Sequence, residues 1–433
     1  MAQSRRRNRW LAALALLAVL AGAAWAIMWR PALAPLDRPA SVDRTLLARG
    51  ANLARLGMCA SCHTADPARP FAGGVPIGTP FGTVYSTNIT PDARTGIGNW
   101  SLEAFERAMR QGVARDGRLL YPAFPYNHYT RLARDDMRAL YAYFMTRLAL
   151  EAPARPNDLR FPFGLRPLVA FWNSLYLDDS PWRQDPRQSA EWNRGAYVAH
   201  ALAHCAACHT PRTGLGGPDL QRQFDGGEAG GWYAPALNAN SPSPLPWTRE
   251  HLAQYLRIGI APGHAVAAGP MQDVVHELGQ AEPADVAALA TYIHGYLRQA
   301  PAREHKAHPP AQQPGPLPAP AENDAELASM RLGHELYTTA CARCHDAGRE
   351  ASSGTALPLQ QAVALHDPDP RSLIHIIRQG IVPPDGEPGR WMPGFDMMSD
   401  AQVTALAAYL RRYGAHAAPW PGLEETVKET RKP

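Results

Sequence analysis

The residues of this chain with the clearest chemical potential are its six cysteines, which all fall in a repeated motif, Cys-x-x-Cys-His. The copies are Cys59-Ala-Ser-Cys62-His63, Cys205-Ala-Ala-Cys208-His209 and Cys341-Ala-Arg-Cys344-His345. In this motif two thiols form thioethers with the vinyl groups of one haem, and the adjacent imidazole ligates the iron. Two intervening residues let both sulfurs and the ring reach one macrocycle from a single turn. The motif therefore predicts three covalently bound haem c groups, with His63, His209 and His345 as axial ligands.

Zinc binding and dithiol redox chemistry are the alternative uses of a Cys-x-x-Cys pair. A structural zinc site needs four ligands, and here each pair lies more than a hundred residues from the next. A thioredoxin-like site does not need a histidine after every pair. Haem attachment leaves no cysteine free, so disulfides are not expected even in an oxidising compartment.

The N-terminus combines a basic cluster with a long apolar run. Four arginines between positions 5 and 9 precede an uncharged stretch from Trp10 to Trp29, which is long enough to cross a bilayer as a helix. Because the arginines should stay cytoplasmic, residues 1–30 predict a membrane anchor, with the rest of the chain on the periplasmic side of the bacterial inner membrane. A cleaved signal peptide is the alternative, with Ala24-Trp25-Ala26 as the small-residue site.

Two further repeats accompany the haem motif. Ahead of each copy a glycine opens a helical stretch, at Gly50, Gly195 and Gly333. After each copy comes an apolar helix with the pattern Ala-Leu-x-x-Tyr, found at Ala139-Leu140 with Tyr143, Ala288-Leu289 with Tyr292, and Ala405-Leu406 with Tyr409. A leucine and a tyrosine three residues apart share one helix face, so the last helix can pack on the first where the glycine permits a close crossing.

Crossed terminal helices beside a covalent haem resemble the class I cytochrome c fold. The predicted fold class is mainly α, with three class I cytochrome c-like domains in tandem after one N-terminal transmembrane helix. A chain of this length also fits about three domains. The predicted boundaries are 43–151, 191–300 and 324–415 for the domains, 152–190 for an aromatic and proline-rich linker, 301–323 for a proline-rich spacer, and 416–433 for a polar tail.

Methionine in a proline-rich loop is the usual sixth ligand of a cytochrome c iron. Gly269-Pro270-Met271 and Trp391-Met392-Pro393-Gly394 offer such methionines to the second and third haems. Met397 and Met398 are rivals of Met392, but they lie nearer the last helix, where core packing is the expected role.

The first domain departs from this pattern, because Phe124 occupies the methionine position and cannot ligate iron. His128, four residues further along the same loop, is the nearest candidate and would make a bis-histidine haem. The alternatives are Met109, Met137, Met145 and an open, five-coordinate iron. An imidazole in place of a thioether favours ferric iron, so haem one would then have the lowest potential of the three.

Two stretches of the first domain resemble a known family, the membrane-anchored triheme cytochrome c subunits of periplasmic bacterial dehydrogenases. They are Thr79-Pro80-Phe81-Gly82-Thr83-Val84-Tyr85-Ser86-Thr87-Asn88-Ile89-Thr90-Pro91-Asp92 with Thr95-Gly96-Ile97-Gly98-Asn99-Trp100, and Gly112-Val113 through Tyr121-Pro122-Ala123. The resemblance covers nearly all of the mature chain. It implies electron transfer from a catalytic subunit to ubiquinone or onward to an oxidase.

The family's catalytic subunits are quinoprotein alcohol dehydrogenases, flavoproteins acting on sugars, or molybdenum hydroxylases. The alcohol dehydrogenase type carries methionine where this chain has Phe124, which favours a molybdenum enzyme with a molybdopterin and iron–sulfur centre that oxidises aldehydes or N-heterocycles. No pattern here resembles a catalytic triad, paired carboxylates or a phosphate-binding loop, so we predict no substrate chemistry in this polypeptide.

Two other interpretations of the sequence stay open. One is a haem enzyme of the peroxidase or thiosulfate dehydrogenase type that uses an open haem one. Another is a freestanding carrier that docks transiently on an oxidase. A nucleic-acid partner is not expected, because the net charge is only +4 in 433 residues and no basic patch carries interleaved aromatic residues.

Overall fold

Helices are the main regular secondary structure of this computed structural model, and the predicted mainly α class is confirmed. It describes residues 10, 11, 15, 19, 22, 30–35, 43–261, 263–298, 316–320, 327–346, 357–382 and 391–431. The chain forms two compact units, residues 1–50 with 62–181 and residues 51–61 with 182–433. The predicted domain boundaries stay a prediction.

The elements up to residue 181 place the first haem motif and the loop with Phe124. The helices are α1 (Arg44–Leu56), α2 (Cys59–His63), α3 (Leu102–Gln111), α4 (Tyr126–Tyr129), α5 (Arg134–Met145) and α6 (Pro167–Tyr176). A small antiparallel sheet has the strand order β1 (Pro76–Thr79), β2 (Gly82–Tyr85) and β3 (Asp158–Leu159). The third strand comes from the predicted linker, so that part of the linker is bound to the first unit.

The elements from residue 182 onward place the other two motifs. The helices are α7 (Ala190–Tyr197), α8 (Ala206–His209), α9 (Arg249–Ile258), α10 (Pro270–Gly279), α11 (Pro283–Leu297), α12 (Leu327–Leu336), α13 (Ala342–His345), α14 (Val363–His366), α15 (Arg371–Gln379), α16 (Asp400–Tyr409) and α17 (Leu423–Glu429). Two antiparallel hairpins join β4 (Gly227–Ala229) to β5 (Trp232–Ala234), and β6 (Ile260–Ala261) to β7 (Ala265–Val266). Wider π-helical turns lie at Val198–Leu202, shortly before the second haem motif, and at Tyr337–Cys341, which ends on the first cysteine of the third.

Side-chain caps fix where several helices begin. The hydroxyl oxygens of Ser101, Ser189 and Thr248 each accept a hydrogen bond from the backbone N–H three residues on, which starts α3, α7 and α9. Ser399 and Gln402 form a reciprocal capping box at the start of α16.

The predicted close crossing of first and last helices occurs at all three glycines. A Cβ built on Gly50 would overlap the carbonyl oxygen of Ala139, one on Gly195 that of Ala288, and one on Gly333 that of Ala405. The same Cβ would lie 2.7, 2.9 and 2.5 Å from the Cβ of Tyr143, Tyr292 and Tyr409, respectively. Each crossing therefore uses the alanine and the tyrosine of the Ala-Leu-x-x-Tyr pattern.

The expected membrane anchor requires a correction. Across the parts of the chain that the structure describes, no helix combines the length with the apolar character needed to cross a membrane. A span needs about 20 consecutive apolar helical residues, and only positions 10, 11, 15, 19 and 22 of the apolar run are described. This finding overturns the predicted transmembrane helix and the anchored localisation; the other residues of 1–29 lie outside the described ranges.

We predict that Gly195→Ala destabilises the protein, although alanine ordinarily favours a helix over glycine. Overpacking at the crossing should outweigh that preference and cost about 1–3 kcal/mol. The measurement is the thermal unfolding midpoint of the full-length protein. Gly214→Ala is the matched control, because Gly214 is exposed and a Cβ on it would have nothing within 4 Å. Equal midpoints for the two variants would contradict the prediction.

Candidate haem-attachment sites

Each haem motif lies on a short helix that presents its cysteines and histidine from one turn. The first motif is helix α2 itself, while Cys205 and Cys341 directly precede α8 and α13, which carry the second cysteine and the histidine. All six cysteines lie within the described residues. The structure thus brings together the three groups that each haem needs on its proximal side.

The imidazoles of the three motifs share one hydrogen-bond arrangement. Nδ1 of His63 lies 2.7 Å from the carbonyl oxygen of Thr87, Nδ1 of His209 lies 2.6 Å from that of Pro235, and Nδ1 of His345 lies 2.9 Å from that of Leu357. A carbonyl only accepts, so Nδ1 carries the proton and Nε2 is left as the free electron-pair donor.

This arrangement fits a haem iron. A metal-ligating histidine usually donates its other ring N–H to a carbonyl or carboxylate, which fixes the tautomer and the ring orientation. Desolvation lowers the pKa of His63, His209 and His345, with the carbonyl contact acting in the opposite direction. The net shift keeps each ring neutral near pH 7, as an iron ligand must be.

The first thiols of the second and third motifs, Cys205 and Cys341, do not have the properties of reactive cysteines. Burial raises the pKa of Cys205 to about 12 and that of Cys341 to about 11, with the paired cysteine adding to the shift. Redox-active and zinc-binding cysteines need stabilised thiolates, usually beside positive charge. Within the described residues, no group of three or more His, Cys, Asp or Glu side chains could hold a metal ion.

The two candidate methionines lie on backbone segments with defined anchors. Met271 is in the first turn of α10, two residues after Gly269, whose φ of 52° lies in the left-handed region. Met392 forms an isolated antiparallel bridge with Ile381, with both N–H···O distances at 2.9 Å. Met271 and Met392 lie on other elements than His209 and His345. Their pairing as ligands of the same two irons stays a prediction.

In the first unit, the loop with Phe124 is held by aromatic packing. The Phe124 ring lies 5.6 Å from that of Tyr129 and 6.1 Å from that of Tyr126, whose hydroxyl donates to Asn173 Oδ1 at 2.6 Å. His128 is buried on α4 between these two tyrosines. Its role as an iron ligand stays a prediction.

The rival methionines of the first unit differ in placement. Met137 is fully buried on α5, and Met109 is buried on α3, whereas Met145 is half-buried at the last residue of α5. Full burial of Met137 gives its side chain a packing role, as expected from its place on the last helix.

His264 lies shortly before Met271 in the sequence and is another residue type that can ligate iron. Its ring, however, already contacts three other side chains. Its Nε2 lies 3.0 Å from His251 Nδ1, its Nδ1 lies 3.4 Å from Ser243 Oγ, and its ring stacks on Trp247 at a centroid distance of 4.2 Å. With both nitrogens occupied, His264 serves as a structural histidine in this arrangement.

Sequence reasoning did not identify the three carbonyls that orient the histidines, because a backbone acceptor has no residue-type signal. Two of them follow hairpin strands, since Thr87 comes shortly after β2 and Pro235 directly after β5. The close packing of Gly227 also has no residue-type signal: a Cβ there would overlap the Cys208 carbonyl and lie 2.8 Å from that of Thr210. Gly227 thus lets β4 pack directly on the second haem motif.

Comparison with known proteins places this chain among c-type cytochromes. A family model described as cytochrome C oxidase, cbb3-type, subunit III matches residues 328–410. A nicotinate dehydrogenase subunit of Pseudomonas putida is 40% identical over an alignment that covers 99% of this chain and 36% of that protein. The chain therefore spans about a third of this relative.

Two further relatives match over most of both chains. The fructose dehydrogenase cytochrome subunit of Gluconobacter japonicus is 35% identical over 88% of this chain and 81% of its own. The alcohol dehydrogenase (quinone) cytochrome c subunit of Gluconobacter oxydans is 33% identical over 87% and 80%. This chain belongs to the family of cytochrome c subunits of bacterial dehydrogenases, and membership in this family implies covalently bound haem c.

We predict that His264 makes the protein less stable in mild acid. The residue is only 2% exposed, and burial, with a smaller effect of His251, lowers its pKa to about 4, whereas a histidine in an unfolded chain titrates near 6.5. The unfolded state therefore binds a proton that the folded state excludes, so stability present above pH 6.5 is lost as the pH falls toward 4, by up to about 3 kcal/mol. Thermal unfolding midpoints across this range should fall less steeply for His264→Gln than for the native protein. Identical pH profiles would contradict the assignment.

Proposed function

We propose that this chain is a triheme c-type cytochrome that takes electrons from the catalytic subunit of a dehydrogenase and delivers them to ubiquinone or the respiratory chain. The observation that carries the proposal is the threefold Nδ1–carbonyl arrangement, which prepares one neutral histidine beside two cysteines in each motif. A dehydrogenase partner is the shared feature of the relatives.

The proposal includes three class I cytochrome c-like domains, at 43–151, 191–300 and 324–415. Its support is the repeated glycine crossing, because each copy places the helix before a haem motif against the helix that ends the same segment. The second and third segments also share a π-helical turn at the approach to the haem motif, which supports their similarity to each other.

Haem c, when bound, supplies a one-electron iron couple. The cysteine pairs Cys59 and Cys62, Cys205 and Cys208, and Cys341 and Cys344 would hold it covalently. His63, His209 and His345 would bind the iron on the proximal side, and their Nδ1 bonds would keep the rings oriented as the charge on the iron changes. Met271, Met392 and His128 are the proposed sixth ligands.

For the catalytic partner we propose a molybdenum enzyme, with a molybdopterin and iron–sulfur centre, that oxidises aldehydes or N-heterocycles. The relative with 40% identity is a subunit of nicotinate dehydrogenase, and nicotinate is an N-heterocycle. Phe124, in place of a methionine, supports the same choice. The fructose and alcohol dehydrogenase relatives support the second candidate, a flavoprotein or quinoprotein partner.

Isolation of the native complex under mild conditions, followed by cofactor analysis, tests this function. We expect three haem c groups per copy of this chain, together with molybdenum and iron–sulfur centres from the co-purifying subunit. Pyrroloquinoline quinone or flavin instead would establish the second candidate. A native chain with fewer than three covalent haems, or one that never co-purifies with a dehydrogenase, would overturn the proposal.

The sixth ligand of haem one can be tested by paired variants. His128→Ala should alter the visible spectrum and raise the potential of one haem in three, because a basic imidazole stabilises ferric iron. Met109→Leu, a volume-conserving change, is the matched control and should leave both unchanged. A spectral change in Met109→Leu alone would transfer the role to Met109. Rapid carbon monoxide binding to one haem of the native protein would show an open iron and favour the haem-enzyme interpretation.

A further inference from the structure

The β4–β5 hairpin contacts more of the second unit than a surface turn would. It lies between the second haem motif, the loop with Met271 and helix α15 of the segment 324–415. What this hairpin does rests on the proposed function, because it concerns how the second and third haems are held together.

The hairpin is built onto the second haem motif. The backbone N–H of Gly226 donates to the carbonyl of His209 at 3.0 Å, and Gly227 packs on the carbonyls of Cys208 and Thr210. At the other end, the carbonyl of Pro235 accepts from His209 Nδ1. A displacement of the hairpin would therefore displace the acceptor that orients the His209 ring.

Trp232 links the hairpin to two further elements. A Cβ on Gly269 would lie 2.6 Å from the indole atoms Cδ2 and Cζ2, so only glycine allows this ring to lie on the backbone two residues before Met271. The same indole stacks on the imidazole of His375 in α15, with a centroid distance of 4.9 Å and an interplanar angle of 22°. One side chain thus touches both the Met271 loop and the C-terminal segment.

Hydrogen bonds from α15 complete the outer edge of the hairpin. The Ser372 hydroxyl accepts from the Tyr233 N–H at 3.1 Å and donates to the Tyr233 carbonyl at 2.8 Å, so it satisfies both backbone groups of that residue. Arg371, held by Asp369, also forms an ion pair with Glu228 at 2.5 Å. Ser372 is buried, which makes this contact part of the interior of the unit.

The loops of the two candidate methionines are joined by a second route. Gln272, next to Met271, donates from Nε2 to the carbonyl of Val382 at 2.9 Å. Val382 follows Ile381, which forms the backbone bridge with Met392. Two hydrogen-bonded contacts and two covalent steps therefore connect the loop of Met271 with that of Met392.

We propose that Trp232 and Ser372 are positioning residues that fix the Met271 and Met392 loops at a constant separation, so that the second and third haems exchange electrons directly. The hairpin gives this connection its rigidity, because it is bound to the His209 backbone on one side and to α15 on the other. Electron exchange is the function that needs such rigidity, since its rate depends steeply on the distance between the groups.

The test uses full-length, haem-loaded protein with Trp232→Ala and Ser372→Ala. Hydrogen exchange of residues 371–379 should rise roughly threefold to tenfold, the factor expected for a lost stack or hydrogen bond. Electron exchange between the two haems, followed after photoreduction, should slow roughly tenfold or more, because misplacing reacting groups by about 1 Å can cost up to ~100-fold. Trp232→Phe, which keeps a stacked ring, should restore both values close to native.

Trp247→Ala is the matched control, since it removes an equally stacked indole from His264 within residues 191–300. It should leave the hydrogen exchange of 371–379 and the haem-to-haem rate unchanged. If Trp232→Ala fails to fold, Ser372→Ala alone decides the question. Native values in both variants, with three haems bound, would overturn the inference while leaving the proposed function intact. Fewer than three haems in the native protein would overturn the proposed function instead.

Discussion

The close crossing of two helices at a residue without a side chain is the constraint on which the rest of this structure depends. At Gly50, Gly195 and Gly333 the backbone of one helix lies against an alanine carbonyl of another, where any Cβ would overlap. Such an approach fixes the direction in which the chain leaves the first helix. The haem motif comes within a dozen residues of each glycine, so its cysteines and histidine are placed by the same contact.

The proximal histidines show how small secondary elements complete a site that helices begin. Helices α2, α8 and α13 present the imidazoles. The carbonyl acceptors that fix their tautomers lie outside these helices, in irregular segments at Thr87, Pro235 and Leu357. The hydrogen bond that orients His209 depends on a hairpin that also bonds to Ser372. Orientation of the His209 ring and packing of the C-terminal segment are thereby physically linked.

Much of the candidate site could be predicted from the sequence, because covalent haem attachment uses residue types at fixed spacing. The sequence predicted two other features of the structure less well, the N-terminal segment and the packing of Gly227. The apolar run after the N-terminal arginines indicated a membrane anchor, yet no described helix supports one. The packing of Gly227 on the second haem motif could not be predicted, because a sequence shows that a glycine is present but not which carbonyl lies against it.

The sequence by itself determined the chemistry: three Cys-x-x-Cys-His motifs, three crossing glycines and the family resemblance, all of which depend on residue identity at short range. Only the tertiary structure decided which backbone carbonyls orient His63, His209 and His345, and that Trp232 and Ser372 join residues more than a hundred positions apart. The physical reason is that every residue carries the same backbone acceptor, so the selection of one acceptor depends on three-dimensional packing and leaves no signature in residue type.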